Sequence, residues 1–109
     1  MSAHDYRITL EYLGGKAAAP QAPAPLSFTT SNHDNLFEII ANVQRSGMFD
    51  QDTAASLALG MKLFSEVMLQ HRKDPLFDPI AGAYREFIGQ FKARMKELQP
   101  KDGDASDAS

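Results

Sequence analysis

The chain has 109 residues, 43% of them hydrophobic, and its formal net charge is −3 at pH 7. This length suits one domain with a modest core. Most of the negative charge lies after Leu98, so the preceding residues are nearly neutral and exert no general attraction on nucleic acid or anionic lipid. The absence of cysteine excludes disulfides, thiolate metal sites and cysteine catalysis.

The amino terminus carries no apolar signal-peptide core. No uncharged apolar run approaches the roughly 20 residues that a membrane-spanning helix needs. We therefore expect a soluble cytoplasmic protein with neither a membrane nor a nucleic acid as its partner.

The first part of the chain predicts a β-hairpin. Apolar residues from Tyr6 to Tyr12 alternate with polar ones, as in a strand with one buried face, and residues 26–30 repeat this alternation. Residues 14–25 join the two segments and are rich in alanine and proline, which predicts a flexible loop. We expect the strands to pair antiparallel.

Two helices should follow. Ser31 and Asp34 resemble a capping box, which predicts the start of a helix. This helix should end near Ser46, where Gly47 supplies the left-handed residue that closes it. Asp50 then predicts the start of a second helix that runs to about Lys73. Apolar side chains cover far more of this second helix than the usual amphipathic stripe, so we expect it to be central and buried. The centre of its apolar arc is formed by Leu57, Met61, Phe64 and Met68.

Asp78 and Pro79 predict the start of a third helix, whose narrow apolar seam indicates a surface position. The seam consists of Ile80, Tyr84, Phe87, Ile88, Phe91, Met95 and Leu98. Residues 99–109 hold no large apolar side chain and predict a disordered acidic tail. The predicted fold class is α+β, with a two-stranded antiparallel hairpin packed on three helices as a single domain over residues 1–98.

No catalytic, metal or cofactor site is predicted. His71 lies on the apolar side of the second helix, but a partly buried histidine bonded to a backbone carbonyl is favoured over a ligand or proton-transfer role. A basic ridge for phosphates could be formed by His71, Arg72 and Lys73 together with Arg85, Lys92 and Lys96. The acidic neighbours of this ridge and the negative total charge favour an ordinary solvated surface.

Two other features suggest binding. Tyr6, Tyr12 and Phe28 of the hairpin could line a small apolar pocket with Met61, Phe64 and Met68, although an ordinary core is favoured. A two-stranded sheet also leaves unpaired edges, so the strand from Tyr6 to Leu13 invites pairing with a second copy or another protein. Helices that cover these edges, or blunting by charged side chains, are the alternative.

The segments YRITLEYL, NHDNLF and ALGMKLFSEVMLQHRKDPLF resemble a family of small uncharacterised bacterial proteins that is grouped as a domain of unknown function. The resemblance covers about residues 6–96. It implies one compact bacterial domain without an established activity, substrate or cofactor, and therefore no catalytic residues to transfer. The alanine- and proline-rich loop and the acidic tail depart from the shorter form of that family.

These observations favour a non-enzymatic protein-interaction module, with homodimerisation as one possibility. The alternative is a binder of a small apolar ligand between the hairpin and the central helix. An enzyme or nucleic-acid binder built around His71 and its basic neighbours is the least favoured hypothesis. The residues expected at an interaction or ligand site are Tyr6, Tyr12, Phe28, Met61, Met68, His71 and Arg72.

Overall fold

The computed structural model describes residues 3–15 and 23–98. Its elements, in chain order, are β1 (His4–Leu10), β2 (Leu26–Asn32), α1 (Leu36–Ser46), α2 (Gln51–Gln70), a 3-10 helix (Pro75–Phe77) and α3 (Asp78–Leu98). The chain divides into a hairpin unit that ends at Asn35 and a helical unit that begins at Leu36.

In the hairpin unit, β1 and β2 pair antiparallel over all seven residues of each strand. Because side chains alternate across a strand, this register separates an apolar face from a polar face. The apolar face includes the cross-strand pairs Ile8–Phe28 and Leu10–Leu26. Leu10 is 67% exposed and Leu26 is 55% exposed, so the end of this face nearest the connecting loop is largely open.

The polar face of the hairpin is tied by side-chain hydrogen bonds. The Ser31 hydroxyl donates to a carboxylate oxygen of Asp5 at 2.6 Å, and the Thr9 and Ser27 hydroxyls lie 2.8 Å apart. Ser31 is therefore a strand residue, and the capping box predicted from it is wrong. The strand continues through Asn32, and α1 begins only at Leu36.

A local turn follows β2. The side-chain oxygen of Asn32, which is 2% exposed, accepts a hydrogen bond from the backbone N–H of Asp34 at 3.0 Å. The Tyr6 hydroxyl donates to the Asp34 carbonyl at 3.0 Å. Asparagine favours such turns because its short side chain can replace a backbone acceptor.

The helical unit begins with α1, which ends at Ser46 as predicted. Gly47 follows with φ of +77°, the left-handed conformation that glycine adopts without steric cost. Asp50 is the N-cap of α2, as predicted, and accepts a hydrogen bond from the Thr53 backbone N–H at 2.9 Å. The helix ends at Gln70, three residues before the predicted position.

The burial expected of the central helix is not confirmed. In α2 only Ala54, Ala58 and Met61 are buried, and these lie on one stripe at i, i+4 and i+7. Phe64, which lies at the centre of the predicted apolar arc, is exposed, and so is Val67. The arc was wide because α2 is apolar on several sides, but only its smallest side chains and Met61 reach the interior of the unit.

The core of the helical unit is a small cluster. Val43 of α1 packs with Ala54 and Ala58 of α2, and half-buried apolar side chains surround these three. The surrounding residues are Ile39, Ile40, Phe91 and Met95. Since two of the three central side chains are alanines, α1 and α2 approach closely along this stripe.

A 3-10 helix follows α2, and its N-cap Asp74 accepts a hydrogen bond from the Leu76 N–H at 2.9 Å. Asp78 has α-helical angles, φ −52° and ψ −45°, so its predicted role as a cap is wrong. It is the first residue of α3, which lacks a fully buried side chain along its whole length.

The predicted α+β class is confirmed: the described residues contain a two-stranded antiparallel sheet and three α-helices. The single domain over residues 1–98 stays a prediction. The predicted flexible loop, residues 14–25, falls partly outside the described residues, and the predicted disordered tail, residues 99–109, falls wholly outside them.

Candidate functional site

Three of the expected site residues belong to the hairpin unit. Tyr6 and Phe28 lie in the strands, whereas Tyr12 follows the end of β1 and is outside the strand in which it was predicted. The Tyr6 ring lies 6.3 Å from the ring of His4, measured between centroids. Because these residues and the expected methionines belong to different units, the pocket between the hairpin and the central helix stays a prediction.

The other four expected residues belong to the helical unit. Met61 is buried, and His71 is the C-cap of α2, where its backbone N–H donates to the carbonyl of Val67. The imidazole of His71 is exposed, so the expectation of a partly buried ring is wrong. Met68 and Arg72 are brought together in one cleft.

Tyr84 of α3 organises the region around this cleft. Its hydroxyl donates to the backbone carbonyl of Met61 at 3.1 Å and lies 2.8 Å from the hydroxyl of Ser65. Both bonds join α3 to α2. They fix the depth to which the ring enters between the two helices, since a buried tyrosine hydroxyl needs a polar partner.

A row of five aromatic rings runs through the same region. The Phe64 ring meets that of Tyr84 edge to face, with centroids 5.3 Å apart, and meets that of Phe77 at 6.0 Å. Tyr84, Phe87 and Phe91 continue the row along α3 at spacings of 6.1 and 6.2 Å. Edge-to-face and offset contacts at these distances are favourable beyond the area they bury.

The cleft beside this row, which we call the Tyr84 cleft, lies between the end of α2, the 3-10 helix and the first turns of α3. Its volume is about 440 Å³, within the range of small-molecule sites. The cleft has an apolar floor, with hydroxyl and charged groups beside it. The residues that line it are Ser65, Met68, Leu69, Arg72, Phe77, Asp78, Ala81, Tyr84 and Arg85.

The charged groups of the Tyr84 cleft are two arginines and one aspartate, so the cleft carries one net positive charge. Within residues 3–15 and 23–98, neither guanidinium is held by a hydrogen bond or an ion pair. The cleft therefore offers two charged donors above an apolar floor, with the Ser65 and Tyr84 hydroxyls at its side.

Sequence reasoning missed most of this lining. Arg85 was grouped with Arg72 in the possible basic ridge, which was the one signal that placed two cleft residues on a common surface. Tyr84 appeared only as part of the apolar seam of α3. Its role was not accessible from periodicity, because its hydroxyl bonds depend on the approach of α2.

Two further cavities occur in the helical unit. One, of about 270 Å³, lies at the α1–α2 connection beside α3 and includes Met48 and Arg94. The other, of about 260 Å³, lies between α1 and α3 and includes Met95. Each of the three cavities contains one methionine, since the Tyr84 cleft contains Met68.

A family model described as a domain of unknown function with a solved structure, DUF3861, matches residues 4–93. The chain belongs to the DUF3861 family. A crystal structure of a protein of unknown function from Pectobacterium atrosepticum is similar to this DUF3861 chain, with 34% identity and a TM-score of 0.71. The match covers 84% of this chain and 99% of the Pectobacterium chain. The resemblance to small bacterial proteins of unknown function is therefore confirmed.

A search among curated proteins gave no match. In the described part of this DUF3861 chain, none of the helices combines the length and hydrophobicity needed to cross a bilayer. The same residues contain no group of three His, Asp or Glu side chains arranged to hold a metal ion.

Proposed function

We propose that this DUF3861 chain is a non-enzymatic protein-interaction module that forms a homodimer through the outer edge of β2. The observation that carries the proposal is the composition of that strand. β2 spans seven residues, LSFTTSN, without a charged side chain or a proline. It pairs with β1 on one side, and in the described residues the sheet has no third strand.

An edge strand presents a row of unpaired N–H and C=O groups, and native proteins protect such edges with charged residues or proline. β1 carries Asp5 and Arg7 and is protected in this way, whereas β2 is not. The side chains of Ser27, Thr29 and Ser31 are exposed. The contrast between the two strands favours β2 as the edge that pairs.

A second copy of the chain is the occupant that this edge fits. Two β2 strands related by a two-fold axis through Thr29 would pair antiparallel over residues 27–31, with Ser27 opposite Ser31 of the partner strand. No like charges would meet in this register. The product is a four-stranded sheet, which is more stable than an isolated two-stranded hairpin.

The test is sedimentation equilibrium of the full chain over a dilution series, with Thr29→Glu as the disrupting variant. In the monomer, the introduced carboxylate would lie opposite Arg7 of β1 and support the hairpin. In the homodimer, two glutamates would meet at the two-fold axis, where like charges raise the dissociation constant by about fivefold.

Thr29→Gln is the matched control, because it places a side chain of the same length at the same position of β2 without the charge. We expect it to leave the dissociation constant unchanged. A chain that stays monomeric at all concentrations, or a homodimer that both variants weaken equally, contradicts the proposal.

The assignments of the protein as non-enzymatic and cytoplasmic belong to the same proposal. The absence of cysteine supports a reducing compartment, since no disulfide contributes to stability. Partners of other classes, nucleic acid and membrane, are disfavoured by the small negative net charge.

A further inference from the structure

We infer that the Tyr84 cleft binds a small monoanionic carboxylate with an apolar body. This site differs from the pocket expected between the hairpin and the central helix, and it does not depend on the homodimer. It lies wholly within the helical unit, between α2, the 3-10 helix and α3.

The charge of the ligand follows from the groups at the cleft. Arg72 and Arg85 each present a guanidinium, a planar donor that pairs with carboxylates through two parallel hydrogen bonds. Neither guanidinium is engaged elsewhere in the described residues. An anion therefore gains charged hydrogen bonds without displacing a partner among residues 3–15 and 23–98.

Asp78 limits the charge of the ligand to one. Its carboxylate also lines the cleft, so the net charge that a ligand meets is +1. A monoanion neutralises this charge, whereas the second charge of a dianion would be repelled by Asp78. A carboxylate, with one charge, is therefore favoured over the dianion of a phosphate monoester.

The body of the ligand follows from the floor of the cleft. Met68, Leu69, Phe77 and Ala81 provide an apolar surface, and Leu69 is 51% exposed in the free protein. Methionine side chains adapt to ligands of varied shape. A volume of about 440 Å³ accommodates an aliphatic or aromatic body of several carbon atoms.

Three of the five methionines allow a direct test, because each of the three cavities described above contains one of them. The full chain is labelled with 13C at the methionine methyl groups and titrated with octanoate, with octan-1-ol and succinate as comparison probes. We expect octanoate to cause a saturable shift of the Met68 methyl resonance, while the methyl resonances of Met48 and Met95 stay unchanged.

Octan-1-ol lacks the charge and succinate lacks the apolar body, so both should bind at least about tenfold more weakly than octanoate. Equal shifts at all three methionines would indicate unspecific partitioning and would overturn the proposal. A shift confined to Met48 or Met95, or equal binding of octanoate and octan-1-ol, would also overturn it.

Variants assign the binding to the cleft. Arg72→Gln and Arg85→Gln should each weaken octanoate about tenfold, because each removes a charge-assisted hydrogen bond. Arg94→Gln, on the same helix as Arg85 but in another cavity, is the matched control and should leave the affinity unchanged. Equal weakening by Arg94→Gln would contradict the assignment.

A second pair of variants tests the apolar floor without changing any charge. Ala81→Leu should fill the cleft and abolish the octanoate shift at Met68, while Ala83→Leu on an exposed part of α3 should have no effect. A circular dichroism spectrum equal to that of the parent establishes that each variant is folded. Undiminished binding by folded Ala81→Leu would overturn the proposal.

Discussion

Tyr84→Phe is expected to destabilise the helical unit while keeping its aromatic packing. The substitution removes the hydroxyl that bonds the Met61 carbonyl at 3.1 Å and the Ser65 hydroxyl at 2.8 Å. A typical intramolecular hydrogen bond contributes about 0.5–1.5 kcal/mol net. The Met61 carbonyl also lies within a helix and keeps its intrahelical donor, so the two losses together should amount to about 1–1.5 kcal/mol.

The measurement is urea unfolding at a fixed protein concentration, because any self-association would make stability depend on concentration. With an m-value of about 1.5 kcal/mol/M, the midpoint should fall by about 0.7–1 M. The m-value itself should not change, since the phenyl ring of the variant would occupy the same space as the tyrosine ring.

A double-mutant cycle with Ser65→Ala supplies the control. Because the two hydroxyls contact each other, the effects of the single substitutions should not add, and the coupling should be at least about 0.5 kcal/mol. The hydroxyl does not join α2 and α3 in the way described if Tyr84→Phe lowers the free energy of unfolding by less than about 0.3 kcal/mol. The same conclusion follows if the effects of Tyr84→Phe and Ser65→Ala on this free energy simply add.

Three other predictions concern the helical unit. Gly47→Ala should lower the free energy of unfolding by about 1 kcal/mol, because φ is +77° at this position. Gly60→Ala within α2 should raise it by about 0.5–1 kcal/mol, since a Cβ at that position meets nothing within 4 Å. Thermal melts of the two variants, measured side by side, compare these effects. Val43→Ala should cost about 2 kcal/mol in urea unfolding, because it leaves a cavity in the central cluster. The side-chain and backbone hydrogen bonds from Thr53 lower the pKa of Asp50 below its ordinary value of 3.8. Asp50 therefore stabilises the fold above that pH and loses this effect as pH falls through the folded-state pKa. The free energy of unfolding lost in Asp50→Asn should be largest near neutral pH and shrink in acid. If the difference between the parent and this variant does not depend on pH, the ionised carboxylate of Asp50 is not its cause.

The sequence predicted the elements well where local chemistry determines them. Alternation located both strands, Gly47 marked the end of α1, and Asp50 marked the start of α2. The errors occurred where a second segment competes for the same residue. Ser31 has a side chain suited to a helix cap, but pairing with Asp5 on the neighbouring strand retains it in β2.

The Tyr84 cleft was only partly predictable for a related reason. Met68 and Arg72 are four residues apart, so a helix predicted to run to about Lys73 places them on one side, although α2 itself ends at Gln70. Their proximity to Arg85 and Ala81 depends on the way the 3-10 helix returns the chain toward α2. Hydrophobic periodicity describes which side of one helix is apolar, but it does not describe the gap between two helices.

The close contact of α1 and α2 at Ala54 and Ala58 has a consequence for how sequences of this kind can diverge. Both methyl groups are completely excluded from solvent. A larger residue at either position would push the two helix axes apart and open the cluster around Val43. Homologues that keep this helix pair should therefore retain small residues at these two positions, even where the surrounding leucines and methionines have exchanged freely.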